Sequence, residues 1–315
     1  MYRIGVDLGG TNIATGVINE KNEIIGRGKV KTRAPRPAEA IFDSIKEAID
    51  MAVVNAGISY AEVKSIGIGT PGSVNQETGA IEFSNNLQFR NVPAKQMLEE
   101  LLKKPVYLEN DANAAALGEA VAGCGNGVKS FIAVTLGTGV GSGIVFDGKV
   151  YRGSNFCGGE IGHTVINVDG IPCNCGRKGC WEKYASATAL VSQAVEAMQG
   201  NKGSLLWQTC DGDLNAVDGR SIFEAYDMGD AVAKAVVDKY LQYVSIGIAN
   251  IVNALQPDVV CVGGGISAQG EKILQPIRDN VKAERYSVYA DKQAQIVPAL
   301  LGNDAGIIGA ALLDE

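Results

Sequence analysis

The chain has 315 residues, 46% of them hydrophobic and 20% charged, with a formal net charge of −7. That length predicts about two domains with ordinary cores, and the acidic balance argues against non-specific nucleic-acid binding. No apolar run reaches the roughly 18 residues of a membrane helix, the opening MYRIGVDLGG lacks the marks of a secretory leader, and an odd count of seven cysteines reads as a reducing cytoplasm.

Arg3 to Ile18 reads as strand, turn, strand. Gly9, Gly10 and Thr11 let the backbone come close to a ligand and aim N–H groups at it, which suits phosphate. Asp7 precedes that turn, where a carboxylate could hold Mg²⁺ through water; a plain hairpin is the competing reading. Ala38 to Ala56 is predicted as a helix, with Ile41, Ile45 and Ile49 one turn apart and Gly57 as its stop. Gly67, Gly69 and Gly72 match GxGxxG, but Pro71 breaks the turn and no amphipathic helix follows, which excludes a dinucleotide site.

Ala94 to Lys103 is predicted as a short helix and PVYLEN as a buried strand ending in Glu109, Asn110 and Asp111. A carboxylate at the C-terminal end of an α/β strand stands where such sheets place their chemistry, and it can take a proton from a hydroxyl. Asp111 could equally be the N-cap of the following helix. Ser130 to Val150 repeats the opening, TLGTGVGSGIVF echoing DLGGTNIATGVI, so each of two related halves would offer a glycine turn. Gly143 to Lys149 falls short of a P-loop because Val150 stands where Ser or Thr is needed; Asp147-Gly148 fits a hairpin turn better.

Gly158 to Glu182 holds the only histidine, His163, followed by Cys173, Cys175 and Cys180. One imidazole and three thiols on a turn-rich segment make a tetrahedral zinc set, closed and therefore structural. Unrelated free thiols beside a packed histidine are the bland alternative, which the clustering disfavours. A metal there would also pin Glu160 and Glu182. Trp181 to Met198 is predicted as one helix, Asn201 to Gly229 as mixed helix and loop, and Asp230 to Leu255 as a long helix ended by Pro257. A buried strand then runs into Gly263, Gly264 and Gly265, a helix spans Lys272 to Asn280, AQIVPALL is a strand, and residues 302–311 form a helix whose small residues permit close packing.

DLGGT, ENDAN, TLGTGVGSG, VCVGGG and GNDAGIIGAA occur in the order of the actin-like ATPase superfamily. GGEIGH followed by CNCGRKGCWE narrows this, and the whole chain resembles the ROK family (repressors, open reading frames, sugar kinases). The resemblance implies an α/β fold of two actin-like (ribonuclease H-like) ATPase domains with a central cleft and a zinc-bound loop. One domain would comprise residues 1–117 plus 302–315, the other 118–301. It implies a cytoplasmic enzyme that phosphorylates a hexose, glucose first among them, at the expense of ATP with Mg²⁺; N-acetylmannosamine, N-acetylglucosamine, fructose or allose is the runner-up acceptor, and a non-catalytic sugar-sensing protein is the remaining alternative.

By resemblance Asp111 is the catalytic base. Gly72, Asn86, Asn110, Glu160, His163 and Glu182 join it in binding sugar, with His163 also on the metal. Gly10, Thr11, Thr138 and Gly139 serve the phosphates, with Asp7 beside them, and Gly264 and Gly265 the adenosine. Asn12 replaces a common Lys, and Gln88-Phe89 a common Gly-Trp. A homodimer is implied. The family's repressors carry a winged helix-turn-helix ahead of the first strand, for which residue 9 as the start of the first turn leaves no room.

Overall fold

The structure is a computed structural model and describes residues 1–314. In chain order its elements are β1 (Tyr2–Leu8), β2 (Asn12–Ile18), β3 (Ile24–Lys31), α1 (Ala38–Ala56), β4 (Val63–Thr70), β5 (Ser73–Asn75), β6 (Ala80–Ser84), β7 (Phe89–Val92), α2 (Ala94–Leu102), β8 (Val106–Asn110) and α3 (Asp111–Ala122). They continue with β9 (Ser130–Leu136), β10 (Val140–Phe146), β11 (Lys149–Val150), α4 (Glu182–Ala185), α5 (Ala187–Gly200), α6 (Leu206–Thr209), α7 (Gly219–Asp227) and α8 (Ala231–Leu255). The last are β12 (Val259–Gly263), α9 (Glu271–Glu284), β13 (Gln295–Pro298) and α10 (Ala305–Ala311). Two compact units result: the first is Met1–Ala133, Ser142–Gly159 and 299–314, the second Val134–Gly141 and Glu160–Pro298.

The first unit is built on a sheet of order β3-β2-β1-β4-β8. β1 runs antiparallel to β2 and parallel to β4, and β4 is parallel to β8. β4 reads VKSIGIGT and is buried at every position but Lys64, as a central parallel strand must be. That settles the GxGxxG coincidence: Gly67 and Gly69 lie inside the strand rather than in a phosphate turn.

Helix α10 lies against β1 and β4 at backbone contact distance. Gly5 and Gly67 face each other across the two strands; a Cβ on Gly5 would fall 1.8 Å from the Ile307 carbonyl oxygen, and one on Gly67 1.7 Å from that of Ala310. Gly309 makes the same approach to α3, 1.7 Å from the Ala114 oxygen. Only glycine permits this spacing, as the run of small residues predicted. A three-stranded sheet, β5-β6-β7, is an element the sequence did not announce; it sends Val74, Ile81, Leu87 and Phe89 into the core shared with α1 and α2.

The second sheet has the order β11-β10-β9-β12-β13, and β9 and β10 carry the chain into the second unit and back. Asp147 and Gly148 between β10 and β11 both have positive φ, 48° and 75°, as the two-residue hairpin predicted there requires. In the second unit α8 is the buried axis: Tyr240 Oη donates to the Ala185 carbonyl at 2.9 Å and Trp181 Nε1 to that of Tyr243 at 2.7 Å. The predicted single helix over Trp181–Met198 is two helices instead. Ser186 is extended and caps α5 by accepting from Ala189 N. Among the described residues no helix is long and apolar enough to cross a membrane.

Candidate functional site

In the first unit the β8–α3 corner carries the central carboxylate. Asn110, not Asp111, is the helix N-cap: its Oδ1 accepts from Ala112 N at 2.9 Å and Asn113 N at 3.2 Å. Asp111 is the first helical residue. Asn110 Nδ2 donates to the Gly72 carbonyl at 3.1 Å, which ties the cap to the turn after β4. Gly72 has φ 103°, and a Cβ there would meet the Phe83 carbonyl oxygen at 2.0 Å, so no other residue fits. Gly69, beneath Asp111, is the register partner of Asp7 on β1. Asp7, Asp111, Asn110 and Gly72 are thereby gathered at one end of the sheet.

The turn after Asp7 is held from behind. Thr32 Oγ1 donates to the Gly9 carbonyl at 2.6 Å and Thr32 N to that of Thr11 at 3.0 Å. Asn86 lies against Gly10: a Cβ on Gly10 would be 3.4 Å from the Asn86 Cβ. Desolvation by burial pushes the Asp7 carboxyl above its ordinary range. A buried carboxylate shifted by burial alone fits a divalent cation, which would restore its charged form. Downstream, Gln88 is exposed with φ 59°, so the backbone at the departure from the Gly-Trp pattern is of the kind glycine favours, while Phe89 turns into the core edge-on to Phe42, ring centroids 6.2 Å apart.

In the second unit Glu182 is the junction. Its Oε2 accepts from Val140 N at 3.2 Å, and a Cβ on Gly139 would sit 2.2 Å from the same oxygen. Its Oε1 lies 3.8 Å from Cys173 Sγ. Gly162 packs on the Val140 carbonyl, where a Cβ would come within 2.2 Å. The predicted phosphate turn at Thr138 and Gly139, the segment with Glu160 and His163, and Glu182 are thus joined. Gly264, φ 88°, lies so close to β9 that a Cβ would be 2.4 Å from the Leu136 carbonyl oxygen, and Gly265 follows it at the start of a 3₁₀ turn.

His163, Cys173, Cys175 and Cys180 bring their ligand atoms within 4.8 Å of one another. His163 Nδ1 is 3.7 Å from Cys173 Sγ, and Cys175 Sγ is 3.5 Å from Cys180 Sγ. A tetrahedron with metal–ligand bonds of about 2.0–2.3 Å has edges of about 3.3–3.8 Å, so the set fits zinc. Burial, then the neighbouring Cys175 and Cys173 sulfurs, push the Cys180 thiol up to about 12, whereas the Arg177 backbone N–H draws Cys175 down. A divalent cation is the group that would let all three ionise together.

Three residues the sequence reading passed over surround the corner. Glu109 is 2% exposed at its side chain; its Oε1 accepts from Asn110 N at 2.9 Å and Asn113 Nδ2 at 3.1 Å, and its Oε2 pairs with Arg152 Nε. The glutamate of the ENDAN run was the one available signal; nothing in the sequence links it to Arg152.

A sequence model described as ROK family matches residues 3–315. A glucokinase of Halalkalibacterium halodurans is 41% identical over 315 residues, spanning 99% of this chain and 94% of its own. A ROK family glucokinase from Streptomyces griseus, solved with glucose and AMPPNP, is 38% identical with a TM-score of 0.83 over 99% of both chains. A ROK hexokinase from Thermus thermophilus is 34% identical with a TM-score of 0.84, over 99% of this chain and 97% of its own. With motifs, fold and full-length similarity in agreement, the chain belongs to the ROK family.

Proposed function

We propose that this chain is a glucokinase that transfers the γ-phosphoryl group of ATP to the 6-hydroxyl of glucose. The observation that carries the mechanism is the placement of Asp111 at the C-terminal end of β8: Asn110 is the N-cap, and Asp111 is the first helical residue, its Oδ1 accepting from Ala112 N at 2.9 Å. Asp111 takes the proton of the hydroxyl as its oxygen bonds to phosphorus and the bond from phosphorus to the ADP oxygen breaks. Such a transfer depends on positioning and charge neutralisation more than on covalent catalysis. Gly72, Asn86, Asn110, Glu160, His163 and Glu182 hold the sugar. The turns at Gly10-Thr11 and Thr138-Gly139 present amides to the phosphates, and Gly264-Gly265 give the nucleoside a surface without side chains.

Asp7 is the residue that would hold Mg²⁺, whose charge offsets that of the phosphates. His163, Cys173, Cys175 and Cys180 would hold a structural zinc whose contribution is rigidity. The odd count of seven cysteines, three of them in the zinc set, supports a reducing compartment, and the family resemblance supports a homodimer.

Coupled ADP release with ATP and Mg²⁺ over a panel of hexoses and N-acetylhexosamines tests the reading. Turnover on glucose should fall by about 10²–10⁴ in Asp111→Ala, the range for loss of a general base. Turnover confined to another sugar would keep the mechanism and change the substrate; none on any sugar would overturn it.

A further inference from the structure

Glu109 and Arg152 are 43 residues apart in sequence and form a largely buried ion pair at the back of the β8–α3 corner. The carboxylate makes three contacts at once. Besides Arg152 it holds the N–H of Asn110 and the side-chain amide of Asn113, and Asn113 is itself 4% exposed. Arg152 opens a closed loop, because Gly158 N donates back to the Arg152 carbonyl at 2.7 Å. Ser142 Oγ fastens the far end of that loop, donating to the Gly159 carbonyl at 2.5 Å, and the next residue in the chain is Glu160. One side of the carboxylate therefore fixes the peptide that leads into Asp111. The other fixes the base of the loop that leads into Glu160.

We infer that Glu109, locked by Arg152, is a positioning residue that sets where the Asp111 carboxylate stands relative to the attacking hydroxyl. Resting on the kinase reading above, this goes beyond it by assigning a role to two residues that the reading does not place against the substrate. A buried carboxylate with a single cationic partner is an expensive way to bind two helices or strands. Its placement directly behind the proton acceptor gives it a purpose that packing alone does not. Misplacing a reacting group by about 1 Å costs on the order of 10²-fold in rate.

The test uses Arg152→Ala, Arg152→Lys, Glu109→Gln and the Glu109→Gln/Arg152→Ala double variant of the full chain. Steady-state kinetics in both substrates are measured together with melting temperature and amide hydrogen exchange at Asn110. In Arg152→Ala, kcat should fall about ten- to a hundred-fold with KM for ATP unchanged and melting within a few degrees of wild type. The double variant should be no slower than the worse single one, since both break one unit, and Arg152→Lys should recover part of the rate. Exchange at the Asn110 amide should quicken in both single variants. A kcat within twofold of wild type in Arg152→Ala overturns the inference, as do losses that multiply in the double variant or a rate loss that merely follows melting. No turnover by the wild-type chain would end the kinase reading instead; Asn110 exchange then decides alone, and unchanged protection sinks the positioning role.

Discussion

Gly139 has no side chain because Glu182 occupies the place one would take. The 2.2 Å approach of a Cβ to Glu182 Oε2 would push the carboxylate off Val140 N, a hydrogen bond to a charged group contributing about 1.5–3 kcal/mol. Gly139→Ala should therefore lower kcat/KM by about 10- to 100-fold and the melting temperature by a few degrees, measured by paired kinetics and calorimetry. At this scale the sequence was legible wherever a residue's role follows from its position on an element. Asp111 stands at the end of its strand because a short apolar run stops there. The identity of the cap was not legible, since Asn and Asp are adjacent and both are good N-caps; only the backbone, extended at Asn110 and helical at Asp111, separates them. The pairing of Glu109 with Arg152 was invisible for a different reason, because a contact between residues far apart in sequence leaves no period to read.

Helix α8 begins on a buried carboxylate. Asp230 Oδ1 accepts from Ala233 N at 2.7 Å and Ser204 Oγ at 2.9 Å, and Oδ2 from Leu205 N at 2.8 Å. Desolvation raises this carboxyl, but the bonds from Ala233, Leu205, Ser204 and Val232 together outweigh it and hold the group below its ordinary 3.8. A depressed carboxyl adds stability above its unfolded pKa and loses it as pH falls through the folded value. Asp230→Asn should accordingly lose about 1 kcal/mol at pH 7, a gap that narrows as pH falls below the carboxyl's ordinary 3.8; urea midpoints at neutral and acid pH decide it, and a gap that persists in acid would refute the assignment. Gly309→Ala probes another element. Its Cβ would meet the Ala114 oxygen at 1.7 Å, so forcing α10 from α3 should destabilise the chain by about 3 kcal/mol, read from the same midpoints. Long elements were readable from apolar spacing, as α1 and α8 were. β5, β6 and β7 were not, because three to five residues are too few to establish a period. Ser186 also went unread: a lone serine without a partner three residues on gives no capping box.

Across the whole molecule, the order of glycine turns, the strand-end carboxylate and the His/Cys cluster carried the family, and the similarity to full-length relatives agrees with them. One prediction belongs at this scale. Dialysis against a strong chelator should remove about one zinc per chain, lower the melting temperature by about 5 °C or more, and leave His163→Ala no less stable than before treatment; metal analysis with calorimetry checks all three. The glycine-lined seat of α10 has a consequence for biosynthesis. Residues 305–311 are made after everything from 160 to 298, yet they cover β1 and β4, among the earliest strands to leave the ribosome. Until then Gly5 and Gly67 present bare strand backbone with no lid, so the first unit must wait, open on one face, while the second is already complete enough to fold. A chain truncated after residue 300 should have a second unit that resists protease and a first that does not.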